Sequence, residues 1–298
     1  MRLAAIDIGS NAARLLISDV ISAPLAKPEF LKIALIRVPL RLGFDVFDKG
    51  EITPQKATNI VKTIQSYKLL MDVYGVKHLK ACATSAMRDA RNGKEIIQKV
   101  KIETGIEIGI ISGQEEASLI NENHFAEGLT PEESYLYIDV GGGSTELTFF
   151  SDGKLVFKES FNIGTIRLLK NQVSEAAWDE MKEFIKTKTK GYHHVSAIGS
   201  GGNINKVFSI SKRKEGKPLP LDLLRDYYKE FSNLSLSQRM SLYKFREDRA
   251  DVIVPALLIY INVMRWADSN EIFVPRIGLA DGLIQTLYAE LVRKAIEV

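Results

Sequence analysis

The chain repeats itself, and the repeat limits what it can fold into. Leu3-Ala-Ala-Ile-Asp-Ile8 leads through Gly9-Ser10-Asn11 into Ala13-Arg-Leu-Leu-Ile17. Tyr135-Leu-Tyr-Ile-Asp-Val140 leads through Gly141-Gly142-Gly143-Ser144-Thr145 into Glu146-Leu-Thr-Phe-Phe150. Aligned without gaps, Asp7 falls on Asp139, Gly9 on Gly141 and Leu15 on Leu147. Each copy is an apolar strand, a glycine-bearing turn and a second strand, which is the pattern of a hairpin.

The order of elements repeats as well. In the first half Thr53-Pro54 opens a helix carrying Ala57, Ile60, Val61, Ile64 and Met71 at helical spacing, and Gly75 closes it. The strand His78 to Ala83 then runs into Thr84-Ser85-Ala86 and a further helix. In the second half Ser174 caps a helix carrying Trp178, Met181 and Ile185, Gly191 ends it, and the strand Val195 to Ile198 runs into Gly199-Ser200-Gly201-Gly202. A third pair, Ile106 to Ser112 and Glu271 to Val274, leads into helices starting near Gln114 and Asp281. Each half reads as hairpin, helix, strand, helix, strand, helix. This is an α/β chain of two similar lobes with mixed sheets. The 298 residues suit two domains of about 150 each. The expected first lobe is 1–119, joined by a C-terminal helix at 281–298. The second is 120–280, with a helical insertion at about 221–267 that has no counterpart in the first.

Composition removes several classes of function. No run of about 20 apolar residues offers a membrane span, and Asp7 interrupts the N-terminal stretch where a signal peptide would be apolar. A cytoplasmic protein is expected. The lone Cys82 fits a reducing compartment and reads as a small buried residue. A net charge of +3 does not call for nucleic acid. The basic cluster from Lys212 to Lys217 reads as a solvated loop, with a polyanion patch as the alternative. The histidines lack metal-ligand spacing, no nucleophilic triad is evident, and no glycine-rich loop is followed by Lys-Ser or Lys-Thr.

The motifs point to phosphate. Small residues after a strand let backbone N–H groups approach an anion. Gly9, Ser10 and Asn11 in one lobe and Gly141, Gly142, Gly143, Ser144 and Thr145 in the other would clamp a phosphate chain from two sides. Asp7 and Asp139 end apolar strands, where a carboxylate is costly unless paired or bound to a cation. Mg²⁺ held by one or two carboxylates and phosphate oxygens is one reason for such a placement; bonding to turn amides is the other. Glu146, across the turn from Asp139, could hold the metal through water or orient the nucleophile. Glu116 opens a helix at a strand's carboxyl end, where it could accept a proton from water. Glu115 is its equal on these grounds, and either could be a helix-start acid. Arg88 is a candidate bidentate phosphate ligand. Gly201 and Gly202 form a close-approach turn, and Arg249 is either a substrate contact or a helix-start ion pair.

Five segments together resemble the exopolyphosphatase and guanosine pentaphosphate phosphohydrolase (Ppx/GppA) family, in the acetate kinase, sugar kinase and actin superfamily. They are Asp7 to Asn11, Ala83 to Arg88, Ile111 to Ala117, Asp139 to Glu146 and Gly199 to Gly202. The resemblance implies two ribonuclease-H-like lobes around a cleft, with the final helix returning to the first lobe. It implies Mg²⁺-dependent release of orthophosphate from inorganic polyphosphate or guanosine pentaphosphate. By motif, it gives the water-activating role to Glu116, metal and water positions to Asp139 and Glu146, and a substrate role to Arg88. Two departures stand out. Ala12 replaces the usual hydroxyl residue of the first loop, and Val254-Pro255-Ala256 follows the late Arg249-Ala-Asp251 segment where the family has glycine. The chain resembles the family's short form, so contacts to a polyphosphate should run out after a few units and favour short chains. A homodimer is the default expectation. The alternatives are a superfamily kinase, which Glu116 argues against, and a non-catalytic polyphosphate or alarmone sensor, which Ala12 favours weakly.

Overall fold

The computed structural model describes residues 1–21, 27–121, 133–275 and 278–296. It divides into two compact units, Met1–Ser112 with Leu279–Val298, and Gly113–Gly278. The first unit opens with β1 (Arg2–Ile8), β2 (Ala13–Ile21), β3 (Glu29–Val38), α1 (Gly43–Lys49) and α2 (Pro54–Val73). It continues with β4 (His78–Ala83), α3 (Ser85–Asp89), α4 (Gly93–Thr104) and β5 (Gly109–Ile110). The second unit runs α5 (Gly113–Asn121), β6 (Ser134–Val140), β7 (Thr145–Ser151), β8 (Lys154–Phe161), α6 (Thr165–Leu169), α7 (Glu175–Lys188), β9 (Val195–Ser200) and α8 (Gly202–Ser211). Then come β10 (Leu219–Pro220), α9 (Leu221–Asn233), α10 (Leu236–Tyr243), α11 (Glu247–Ala250), α12 (Ile253–Trp266) and β11 (Glu271–Phe273). The last helix, α13 (Leu279–Ile296), goes with the first unit.

The duplication extends to topology. The first sheet has the order β3-β2-β1-β4-β5, with β1, β2 and β3 antiparallel in turn and β4 and β5 parallel to β1. The second has the order β10-β11-β9-β6-β7-β8. Read from β8, it gives the same five-strand sequence and the same strand senses, plus β10. Both sheets are mixed and ribonuclease-H-like, as the repeat predicts. The two turns close alike: the Gly9 N–H donates to the Ala12 carbonyl at 3.0 Å, and the Gly141 N–H to the Ser144 carbonyl at 2.9 Å.

Two features differ from the reading of the sequence. Each hairpin gains a third antiparallel strand, β3 or β8. Both lie at sheet edges and carry register shifts against their neighbours, so their alternation of apolar and polar residues is blurred. Second, α5 packs on β7 and β8, so the division falls after Ser112 rather than near residue 119. The helix after the other unit's fifth strand, α13, packs on β1, β2 and β4. Lys32 pairs with Asp281 at 2.8 Å and Phe30 meets Tyr288 edge to face at 5.7 Å. Residues 297–298 of the expected final helix lie outside the described residues.

Local chemistry explains the helices that frame the site. Ile60, Val61, Ile64, Tyr67 and Met71 form the buried stripe of α2, and the Tyr67 hydroxyl donates to the Ala13 carbonyl at 3.0 Å. Thr53 stands at the start of α2, but its hydroxyl donates to Asp45 Oδ2 at 2.6 Å instead of capping the helix. Ser174 does cap α7, accepting from the Ala177 N–H at 3.2 Å. The block expected at 221–267 is α9 to α12. Its longest member, α12, is apolar nearly all round because it runs through the core of the second unit. Cys82 is buried on β4, and Lys212 to Lys217 lie in an exposed turn.

Candidate active site

The β6–β7 hairpin places two carboxylates face to face. Asp139 and Glu146 are direct partners in the antiparallel register. Like charges in that relation destabilise a sheet unless a cation intervenes. Glu146 is only 3% exposed, and its Oε1 accepts from the Ser160 hydroxyl at 3.0 Å. The first unit solves the same problem differently. Asp7 is paired in register with Arg14, and Arg14 Nη1 lies 2.5 Å from its carboxylate. The gap-free alignment that puts Asp7 on Asp139 also puts Arg14 on Glu146. One hairpin is thus internally neutral, and its duplicate is anionic. Arg14 escaped the sequence reading, although counting seven residues on from each aspartate finds it.

A diacid of hard oxygens suits Mg²⁺, which takes one or two carboxylates and completes its shell with phosphate and water. No group of three or more His, Cys, Asp or Glu side chains is placed to hold a metal among the described residues. The Asp139–Glu146 pair itself is an all-oxygen donor set, unlike the nitrogen and sulfur ligands of a structural zinc site. Asp7, expected as a third metal ligand, already has the Arg14 cation against it.

The loop after β9 packs against Asp139 from the other side. Gly201 has φ +101°, and a Cβ there would lie 2.8 Å from Asp139 Oδ1. Only glycine takes that conformation readily and leaves that space. Tyr260, from the middle of α12, donates its hydroxyl to the Ser200 carbonyl and so anchors the loop. Full burial, reinforced by the negative charge of Asp139, pushes the Tyr260 phenol well above its ordinary pKa, so it stays a donor. Tyr260 was also missed, because it sits in an apolar helical pattern. A Cβ on Gly202 would lie 2.7 Å from Arg249 Nη2, and Arg249 Nη1 donates to Asn203 Oδ1 at 2.5 Å. The dipeptide Gly201-Gly202 is thus bounded by Asp139 on one residue and Arg249 on the next.

Helix α5 brings the third carboxylate into the same unit. A Cβ on Gly113, its first residue, would collide with Ser160 Oγ and lie 3.7 Å from Glu146 Oε1. Glu116 follows three residues later, on the same side of the helix. Glu116 is half-buried with Oε2 shielded from solvent, whereas Glu115 is exposed. Environment therefore separates two glutamates that the sequence left equal.

The remaining candidates have defined local partners. The carbonyls of Gly141 and Gly142 accept from the Thr165 and Ile166 N–H groups of α6, at 3.0 and 2.8 Å, and Arg167 Nε donates to the Gly143 carbonyl at 2.7 Å. Among the described residues neither the Gly142 nor the Gly143 N–H donates to a backbone carbonyl, which suits an anion-binding turn. Ser144 is buried at 2% exposure. The Thr145 hydroxyl, expected as a phosphate donor, donates to the Ile163 carbonyl at 2.5 Å. In the first unit the carbonyls of Ser10 and Asn11 accept from Gly43 and Arg41, and the Ser10 hydroxyl shares a 2.7 Å bond with Ser85. Arg88 Nη1 donates to the Ile111 carbonyl at 2.7 Å, which fixes the guanidinium beside the end of β5.

Comparison with known proteins places the chain in a family. A 3-dehydroquinate synthase/phosphatase of Fusobacterium nucleatum is 29% identical over 299 residues, covering 91% of this chain and 44% of that protein. The chain spans about half the length of the first curated relatives it matches. Exopolyphosphatase 1 of Mycobacterium leprae is 29% identical over 95% of this chain and 88% of its own. The solved exopolyphosphatase of Cytophaga hutchinsonii superposes with a TM-score of 0.84 at 24% identity, over 97% of this chain and 98% of that one, and shares the fold. No helix among the described residues is long and apolar enough to cross a membrane. The family profile described as Ppx/GppA phosphatase matches residues 26–290, and the chain belongs to that family.

Proposed function

We propose that the second unit carries a phosphoanhydride hydrolase centre that releases terminal orthophosphate from inorganic polyphosphate, with guanosine pentaphosphate as a second substrate. The observation that carries this reading is the opposed pair Asp139 and Glu146, with the start of α5, the helix that carries Glu116, packed at Gly113 against Ser160 and Glu146. Two opposed carboxylates are a donor set that a divalent cation would bridge to the oxygens of an anionic phosphate chain. Asp139 and Glu146 would hold Mg²⁺, whose chemistry there is to neutralise and polarise phosphate oxygens. The Gly142 and Gly143 N–H groups offer donors to the terminal phosphate. Glu116 orients a water molecule and takes its proton as the water oxygen bonds to the terminal phosphorus. The bridging P–O bond breaks, and the shortened chain leaves with the electron pair. The Ser160 hydroxyl keeps Glu146 in place during this step.

Polyphosphate is preferred because the Mycobacterium leprae relative is named exopolyphosphatase. A carboxylate placed to activate water is the feature a kinase must avoid. The test is phosphate release from polyphosphate and from guanosine pentaphosphate side by side, with and without Mg²⁺, beside ATP-dependent transfer to sugars and carboxylic acids. The expected result is Mg²⁺-dependent release that is fastest from polyphosphate, with no transfer. Transfer without release would establish a kinase, and binding without turnover a sensor.

A further inference from the structure

The second unit holds a cavity of about 340 Å³ between α8 and the segment joining α10 to α11. Gly202, Asn205 and Lys206 line it from one face of α8, at the spacing that stacks side chains along a helix. Lys244, Arg246 and Arg249 line it from the other side. Four cations therefore converge on one cavity, and no Asp or Glu is among its lining residues. Neither Lys206 nor Lys244 has a carboxylate partner among the described residues; Lys206 instead stands 5.4 Å over the buried Phe245 ring. Arg246 is drawn to Asp248 at 3.4 Å, at the cavity's edge. Asn205 Oδ1 is buried with no hydrogen-bond partner, and a half-turn of that amide would offer its N–H₂ group in the same place. Lys206 and Lys244 thus present positive charge to the cavity that an entering anion would stabilise.

The cavity also has a fixed relation to the diacid. Arg249 lies against Gly202, and the preceding residue, Gly201, lies against Asp139. The basic cavity thus opens from the same two-residue loop that bounds the proposed hydrolytic centre. We propose that it is a distal subsite for the anionic chain, holding phosphates several units behind the one cut beside Asp139. This deepens the function proposed above and rests on it. It also moves the expected extra basic ground. The sequence pointed to Lys212 to Lys217, which lie in an exposed turn, whereas Lys206, Lys244 and Arg246 form a concave site. Four cationic side chains in the lining favour phosphates, and the Asn205 amide and Ser209 hydroxyl are the acceptors a nucleoside would have to use.

The test compares the Lys206→Gln/Lys244→Gln double variant with wild type on triphosphate, on long-chain polyphosphate and on guanosine pentaphosphate. The ratio of kcat/KM for long to short chains should fall about tenfold through KM, the size of losing one or two charge-assisted contacts. The dependence of long-chain KM on salt should become shallower by about one to two units of slope. A Lys206→Arg/Lys244→Arg variant should keep most of the ratio. An equal loss on both substrates, or no change in the ratio, would overturn the subsite. A loss confined to guanosine pentaphosphate would also overturn it and give the cavity to a nucleoside. Failure of wild type to release phosphate from either chain would instead refute the hydrolase reading itself.

Discussion

Replacing Gly201 by alanine tests the link between the β9–α8 loop and the diacid. The residue has φ +101° and ψ 161°, a region essentially closed to side-chain-bearing residues, so the backbone strain is about 1–3 kcal/mol. The new Cβ would also lie 2.8 Å from Asp139 Oδ1, closer than real Cβ contacts allow, and 3.8 Å from the Tyr260 hydroxyl. The cheapest relief is rotation of the Asp139 side chain, which would turn away the oxygen proposed to bind Mg²⁺ without changing the residue itself. At about 2–4 °C per kcal/mol for a domain of this size, Tm should fall by about 2–12 °C. The Mg²⁺ concentration for half-maximal activity should rise about tenfold, the effect of some 1.4 kcal/mol at one ligand. Gly75→Ala is the control. Gly75 has φ +68° with nothing within 4 Å of its added Cβ, so it carries backbone strain alone. Thermal unfolding and calorimetric Mg²⁺ titration of both variants separate the two effects. A wild-type Mg²⁺ response in Gly201→Ala, or the same shift in Gly75→Ala, would refute the contact with Asp139 as the cause.

Other outcomes follow from the same geometry. Arg14→Met strands the buried Asp7 charge and should cost about 2–3 kcal/mol in chemical denaturation, below the range for a fully buried pair because the Arg14 side chain is 33% exposed. Asp139→Asn should raise the Mg²⁺ requirement of phosphate release sharply with little loss of Tm; an unchanged requirement would reduce Asp139 to a structural role. For Asp45, burial would raise the carboxyl's pKa, but hydrogen bonds from Lys56 and Thr53 outweigh it and hold the group below its ordinary value. A depressed folded-state pKa contributes stability above the carboxylate range and loses it as pH falls. Asp45→Asn should therefore lower Tm at pH 7, with the gap to wild type closing toward about pH 3. A gap that is constant with pH would contradict this.

Much of the frame was legible in the sequence because it is written twice. Asp7 and Asp139, with the glycine turns behind them, announced both hairpins, and Thr84 to Ala86 and Gly199 to Gly202 marked the ends of the next strands. Edge strands were harder. The outer face of β3 leaves Leu31, Ile33 and Leu35 exposed, so burial does not impose a clean alternation on it. Partnerships across the register were invisible to motif reading: Arg14 with Asp7 depends on strand pairing, and Tyr260 with Ser200 depends on how α12 packs. The transfer of α5 to the second unit was hidden too, since nothing in Gly113 to Asn121 names the sheet it will cover. The same limit kept Lys206 and Lys244 apart, because their cavity exists only once α8 meets the chain after α10.

The central claim is that Glu116 activates water beside the Asp139–Glu146 pair. The most direct measurement is single-turnover phosphate release from polyphosphate at saturating Mg²⁺ by Glu116→Gln and Glu115→Gln, with substrate binding measured on the same samples. Glu116→Gln should slow the step by about 10²- to 10⁴-fold, the usual range for losing a general base, with affinity nearly unchanged. The exposed Glu115→Gln should behave like wild type. A full-speed Glu116→Gln enzyme, or the large loss in Glu115→Gln instead, would contradict the account.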